Sequence, residues 1–265
     1  MKKKKYKVSV IMGIYNCEVT LQEALDSLYN QTFQDFEIIL CDDGSQDNTY
    51  DIAYANSLKH KNILLLKNES NKGLNFTLNR CLSEATGVYI ARMDADDISK
   101  PQRFEMQVNF LDNNPDFSIV SSAMEYFDEN GTFKTGKVIE YPQATDVAKN
   151  TPFCHAPCMI RKEAYDAVNG YTVSDKLLRI EDYHLWFKLY SKGFKGYNFS
   201  IPLYRMRDDR NAKRRRKLKN RIRLAKMKIW GIKELGLPFY YNFFSLRGII
   251  AGLVPNFIYN YFHRK

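Results

Sequence analysis

The strongest constraint on this chain is an alternation, running from Val8 to about Val120, between short apolar runs and stretches whose apolar residues recur at helical spacing. Val8–Ile14 is predicted as a strand, after which Leu21, Ala24, Leu25 and Leu28 fall on one helical face. Glu37–Cys41 is a second strand, a polar helix runs to about Leu58, and Ile63–Leu66 is a third strand. Gly73–Ala85 supplies another helix, with Gly87 as its stop, before the strand Val88–Arg92. Repeated β-α units of this kind predict an α/β fold: a mostly parallel sheet with helices on both faces.

Beyond Pro101 the pattern is less regular. A helix carries Phe104, Val108 and Leu111, and strands are predicted over Ile119–Phe127 and Thr132–Ile139 around the hairpin signal Asn130-Gly131. The segment Thr151–Ile160, a helix near Lys162–Val168 and a helix containing Glu181–Lys188 follow, and the tail is predicted to begin after Pro202. Composition turns basic and then aromatic near Asp209. The expected organisation is a domain over 1–208, in halves of about 7–100 and 101–208, with a helical tail over 209–265.

Acids cluster at the predicted carboxyl ends of these elements: Asp42-Asp43 after the second strand, Asp94-Ala95-Asp96-Asp97 after a later one, and Glu181-Asp182 opening a helix. The carboxyl edge is where α/β sheets bind ligands. Carboxylates crowded there repel one another unless a cation joins them, and a hard divalent ion held by one or two of them commonly completes its shell with substrate phosphates. Asp94-Ala95-Asp96 is therefore read as a metal-diphosphate site. Each cluster also has a plain structural reading: a turn at Asp43-Gly44-Ser45, a helix start at Asp97, and dipole complementation at Glu181-Asp182.

Composition narrows the remaining classes. The net charge of +10 is concentrated at Lys2–Lys5 and over Arg205–Lys228, most densely in Lys213–Lys217. Such runs suit nucleic acid, anionic lipid or phosphate. The aromatic and apolar segment from Phe239 to Val254 follows directly, and basic plus aromatic is an interfacial pattern. Arg247 and Pro255 interrupt it, leaving it short of the roughly 20 apolar residues of a spanning helix, so lying on a bilayer is expected rather than crossing one. No apolar segment follows Met1–Lys5, and the five scattered cysteines do not form a disulfide framework. The expected location is cytoplasmic, at the inner face of the cell membrane. Cys154-His155-Ala156-Pro157-Cys158 lacks the second pair a zinc site needs, so buried thiols are expected.

In order, Val8–Asn16, Ser27–Phe33 with Gln31, Asp42-Asp43-Gly44-Ser45, Asn71-Lys72-Gly73 with Asn79, Gly87–Asp97 and Glu181-Asp182 resemble the motifs of the family 2 glycosyltransferases. These are inverting enzymes of the GT-A fold, and the resemblance covers roughly Lys7 to Tyr204. Val10–Cys17 and Thr151–His155 further resemble transferases of bacterial exopolysaccharide and capsule clusters. The resemblance implies a nucleotide-binding first half, in which Tyr15, Asp42, Asp43 and Lys72 surround the nucleotide and Asp43 meets a uracil ring N–H. It implies that Asp94 approaches the ribose or the metal shell, that Asp96 binds Mn2+ or Mg2+, and that Asp182 deprotonates the acceptor hydroxyl with Glu181 orienting it. The second half would bind the acceptor. The implied reaction moves one sugar from a nucleotide-diphospho-sugar, in the first instance a UDP-sugar, to a lipid-linked saccharide.

Four further positions are candidates for acceptor or phosphate contacts. His155 is read as an acceptor contact or a satisfied core histidine, and Trp186 as a sugar-stacking face or core. Arg205 and Arg207 are read as a mobile basic segment closing on the donor phosphates. The Gln-x-x-Arg-Trp motif of processive synthases is absent, which implies single addition. The expected partners are the donor, the lipid-linked acceptor, an anionic membrane surface and other polysaccharide-assembly proteins, with no nucleic acid. Two rival classes are a transferase-like scaffold and, from the basic run, a nucleic-acid-binding protein.

Overall fold

The computed structural model describes residues 5–208 and 218–253. Its first half follows the predicted alternation: β1 (Val8–Ile14), α1 (Leu21–Tyr29), β2 (Phe36–Asp42), α2 (Thr49–Lys59), β3 (Ile63–Lys67), α3 (Leu74–Glu84) and β4 (Tyr89–Arg92). These four strands pair in parallel in the order β3-β2-β1-β4. The period-2 alternation divides their side chains between two cores. Ile11, Ile39, Cys41 and Ile90 face one side, and Val10, Met12, Ile38, Leu40 and Ala91 face the other. With both faces buried, the strands read as continuous apolar runs.

The second half extends the same sheet. It comprises β5 (Ile98–Ser99), α4 (Arg103–Asn113), β6 (Phe117–Asp128), β7 (Gly131–Thr135), α5 (Ala144–Lys149), β8 (Met159–Arg161), α6 (Lys162–Ala167), α7 (Glu181–Ser191) and β9 (Lys195–Arg207). The nine-stranded order is β3-β2-β1-β4-β8-β6-β9-β5, with β7 on β6. Antiparallel pairing enters with β8 against β4 and β6, whereas β6 and β9 run in parallel. Two predicted boundaries shift. The strand expected over Thr132–Ile139 ends at Thr135. The sheet does not stop at Pro202, because β9 continues to Arg207 and pairs with β6 on one side and β5 on the other.

The tail is helical where it is described. It comprises α8 (Leu218–Glu234), a 3-10 turn at Phe239–Tyr241, and α9 (Asn242–Leu253). Met227 and Ile232 of α8 enter the core that contains Phe187, so α8 is part of the folded body. Gly231 makes this possible: a Cβ there would lie 2.2 Å from the Phe187 ring. Among the described residues no helix is long and apolar enough to cross a membrane. The densest basic run, Lys213–Lys217, lies outside the described residues, as do Lys2–Lys4 and Pro255.

Candidate active site

The parallel register places the predicted residues side by side. Ile14 pairs with Asp42, so Tyr15 and Asp43 emerge together at the carboxyl edge. The Asp43 amide donates to the Ile14 carbonyl at 2.9 Å, and the Met93 amide beyond β4 donates to Ile11 at 3.3 Å. Tyr15 is 46% exposed, offering a ring face beside the Asp43 loop. Asn16, in the left-handed region at φ 47°, accepts from the Gln46 amide at 2.9 Å and donates its own amide to the Ser45 hydroxyl at 3.1 Å.

Asp43 and Asp42 divide the labour. Asp43 accepts from the Asn68 side-chain amide at 2.7 Å, the Lys72 amide at 2.8 Å and the Gly73 amide at 2.9 Å. A carboxylate has about four acceptor positions, so Asp43 orders the Asn71–Gly73 loop and keeps one position for a ligand. Lys72 itself is exposed at this loop. Asp42 is fully buried; one carboxylate oxygen accepts from the Ser45 amide at 3.3 Å and supports the Gly44-Ser45 turn, and the other has no hydrogen-bond partner.

Asp94, Asp96 and Asp97 have carboxylate oxygens within 4.8 Å of one another. Asp97 is buried and its carboxyl is pushed up to about 8 by that burial and by the charges of Asp94 and Asp96. Asp96 is raised for the same two reasons, burial and Asp94. One buried Asp97 oxygen has no hydrogen-bond partner. Three crowded oxygens, raised carboxyls and an orphaned acceptor are what a hard divalent cation would satisfy, so the residues fit Mn2+ or Mg2+.

Two arginines missed in the sequence hold this loop. Arg92, at the end of β4, is 6% exposed and forms an ion pair with Asp94. Nearby Asp94, Tyr204, Tyr171 and Asp97 hold its guanidinium charged against its burial. Arg103 is fully buried and donates to the carbonyls of Arg92 at 2.8 Å, Cys158 at 3.3 Å and Ala156 at 3.4 Å. Burial without a carboxylate partner lowers it to about 10. A single cation inside an apolar strand reads as a solvated position. The available signal for Arg92 was that Ala91 and Met93 flank it in a strand buried on both faces.

The basic pair Arg205 and Arg207 is placed differently from expectation. Arg205 and Arg207 lie in β9, not in a mobile segment beyond it. The Arg207 amide donates to Asp97 at 2.8 Å, its Nε donates to the Asp96 carbonyl at 3.0 Å, and its guanidinium pairs with Glu23 on α1. It braces the acidic loop. Arg205 sits 3.8 Å from Glu125 and over the Phe127 ring, committed to the sheet surface.

Glu181 and Asp182 open α7. Burial raises the Asp182 carboxyl, Arg92 opposes that rise, and Asp94 adds to it, which links this helix end to the acidic loop. Burial and then Asp182 raise Glu181. His155 Nε2 lies 2.8 Å from the Tyr171 hydroxyl, which in turn lies 3.0 Å from that of Tyr165. Burial first, then Arg92, lowers His155 well below its ordinary value, so it is neutral and satisfied by Tyr171. Trp186 is fully buried against Phe153 and His155, at ring separations of 5.1 and 5.8 Å, so it is core and presents no face to a sugar. All five cysteines are free. Cys158 is buried and points its thiol at the Cys154 carbonyl, 3.0 Å away.

The family described as Glycosyl transferase family 2 matches residues 9–168. The EpsE protein of Bacillus subtilis (strain 168), which carries a glycosyltransferase name, is 40% identical over 98% of this chain and 94% of its own length. WfaP of Escherichia coli, named as a UDP-Glc:alpha-D-GlcNAc-diphosphoundecaprenol beta-1,3-glucosyltransferase, is 29% identical over 92% of this chain and 94% of its own. Among solved structures, S. aureus TarS 1-349 in complex with UDP-GlcNAc has a TM-score of 0.73 at 19% identity, covering 92% of this chain and 71% of that one. The mannosyltransferase PcManGT from Pyrobaculum calidifontis, in complex with GDP-Man and Mn2+, has a TM-score of 0.63 at 18% identity, covering 95% and 75%.

Proposed function

Because the chain belongs to glycosyl transferase family 2, we propose that it transfers one sugar, with inversion, from a UDP-sugar to a hydroxyl of a lipid-linked saccharide in exopolysaccharide or capsule assembly. The observation that carries this reading is the cluster of Asp94, Asp96 and Asp97 carboxylates, paired through Asp94 to Arg92, whose charge is also felt at Asp182 at the start of α7. The acceptor class follows from relatives such as WfaP, which is named for a diphosphoundecaprenol-linked acceptor.

In this reading Tyr15 covers one face of the base and the open acceptor position of Asp43 receives a ring N–H. Lys72, carried on the loop that Asp43 orders, lies beside the donor phosphates. Asp96 and Asp94 would hold Mn2+ or Mg2+, with the orphaned Asp97 oxygen available to the same ion. When bound, that ion supplies charge neutralisation at the departing diphosphate. Arg92 pairs with Asp94 and aims it, and Arg207 fixes the backbone of Asp96. Asp182 takes the proton from the acceptor hydroxyl, and its raised carboxyl makes it a stronger base than a solvated aspartate. The acceptor oxygen bonds to the anomeric carbon as the bond to the diphosphate oxygen breaks, inverting that carbon. Glu181, next along the helix, orients the hydroxyl. His155 and Trp186 shape the wall behind Asp182.

The exposed Phe239, Tyr240 and Phe243, next to basic α8, suit a peripheral seat on an anionic membrane at its cytoplasmic face. Calorimetric titration with UDP, with and without Mn2+ and against GDP and CDP, tests the donor site. UDP binding that requires the metal and disappears in Asp96→Asn is expected. Asp182→Asn is expected to bind UDP normally and to lose transfer by at least about 100-fold. Folded protein that binds no nucleotide would overturn the reading in favour of a transferase-like scaffold.

A further inference from the structure

Away from the acidic loop, the segment that leads into α7 and the helix α8 enclose a second cleft of about 630 Å3, within the range of small-ligand sites. Its walls are apolar: Leu177, Ile222, Met227 and Trp230. Leu177 and Met227 are buried in the core, whereas Ile222 and Trp230 are 39% and 36% exposed, so the cleft has a closed floor and an open side. Lys176, Arg223 and Lys226 stand around it against one carboxylate, Asp175. An apolar trough rimmed by an excess of cations complements an amphiphile with an anionic head.

The walls are fixed rather than chance neighbours. Ser174 accepts from the Lys176 amide at 3.2 Å, closing the short turn that carries Lys176 and Leu177. Arg223 donates to the Leu178 carbonyl at 3.2 Å, tying α8 to the same segment. At the inner end, His184 stacks on Trp230 at 4.5 Å and 14°. His184 lies three residues after Glu181, on the same face of α7, so the cleft shares that helix with the Glu181 end of the active site. Burial and then Lys188 lower His184 to about 4, so its ring is uncharged against the apolar wall.

We infer that this cleft holds the first isoprene units of a polyprenyl diphosphate, with Lys176, Arg223 and Lys226 on its phosphates and the attached sugar directed toward Asp182. The inference rests on the acceptor being a lipid-linked diphosphate. The occupant is one lipid chain rather than a bilayer surface, because the apolar walls descend to a floor formed by the buried Leu177 and Met227, which a bilayer surface would not reach. The Phe239–Phe243 surface would seat the protein on the membrane, while the cleft draws a single carrier out of it.

Titrating the full chain with farnesyl diphosphate in EDTA, which removes the metal from the donor loop, tests the cleft alone. Farnesol and inorganic diphosphate are separate arms, and anionic vesicles without isoprenoid are a competitor. Farnesyl diphosphate is expected to bind at least about 10-fold more tightly than either of its parts, and Trp230→Ser and Lys226→Glu are each expected to weaken it about 10-fold. Both variants should keep metal-dependent UDP binding, which certifies their fold and the donor site. Equal affinity for inorganic and farnesyl diphosphate, indifference to both variants, or full displacement by the vesicles would each overturn the inference. Transfer to a lipid-linked diphosphate distinguishes the two claims. Cleft binding without any such transfer would overturn the acceptor reading alone, and transfer whose acceptor KM ignores both variants would overturn the cleft alone.

Discussion

Asp97 shows how one residue can report on the site without a transfer assay. Its carboxyl has an ordinary value of 3.8 and is raised to about 8 in the folded protein. Between those values the folded state binds more protons than the unfolded one, so metal-free stability falls as pH rises through the window. A divalent ion that replaces the proton reverses the penalty. Mn2+ should therefore raise the melting temperature more at pH 8.5 than at pH 6, and Asp97→Asn should flatten the metal-free slope. A Mn2+ increment equal at both pH values would show that Asp97 does not face the ion. Asp94, Asp96, Asp97, Glu181 and Asp182 were legible from sequence because each stands at an element end. The arginines that steady them were not, because burial of a cation is a property of what packs around it. Trp186 takes the core alternative of its two readings, and spacing from Asp182 could not decide between them, because Phe153 and His155, which cover it, come from a distant segment.

Among elements, the β-α units of the first half followed directly from periodicity, since each strand and helix announces itself within about ten residues. The second half did not, because its order depends on pairings between distant segments. The short β8 inserts between β4 and β6, and β9 runs on past Pro202, tolerating it at a bulged register near Ser122 and Ala123. The Asp43 loop offers a test of how an element's ends set the pocket. Gly44 has φ 77°, and a Cβ there would lie 2.9 Å from the Ser70 backbone carbonyl carbon. Gly44→Ala combines left-handed strain with a push on the loop that Asp43 orders, and should cost about 1–3 kcal/mol in denaturant titration. It should also weaken UDP. Gly193, at φ 83° with nothing within 4 Å of a Cβ, serves as the control: Gly193→Ala should cost only the backbone strain, about 1–2 kcal/mol, and leave UDP affinity unchanged. Equal loss of UDP binding in both variants would refute a role for the Gly44 contact.

For the molecule as a whole, α8 joins the sheet-bearing core to the exposed Phe239–Phe243 surface proposed to dock on the membrane. Removing everything past Asp209 would strip Met227 and Ile232 from the core, so a cleaner test substitutes only the exposed aromatics. Replacing Phe239, Tyr240 and Phe243 together with serine should reduce co-sedimentation with anionic vesicles at least about 10-fold while sparing UDP binding. Undiminished co-sedimentation would refute the docking surface. The brace between Arg207 and the acidic loop has a consequence in time. Asp97 and Arg207 are 110 positions apart, so this brace on the acidic loop closes only when the second joins the first. Synthesis at roughly 5–20 residues per second separates their emergence by about 5–20 seconds. A nascent chain thus carries its first four parallel strands, with Arg92 already paired to Asp94, well before β9, and its acidic loop gains the Arg207 brace only as the last of the sheet is laid down.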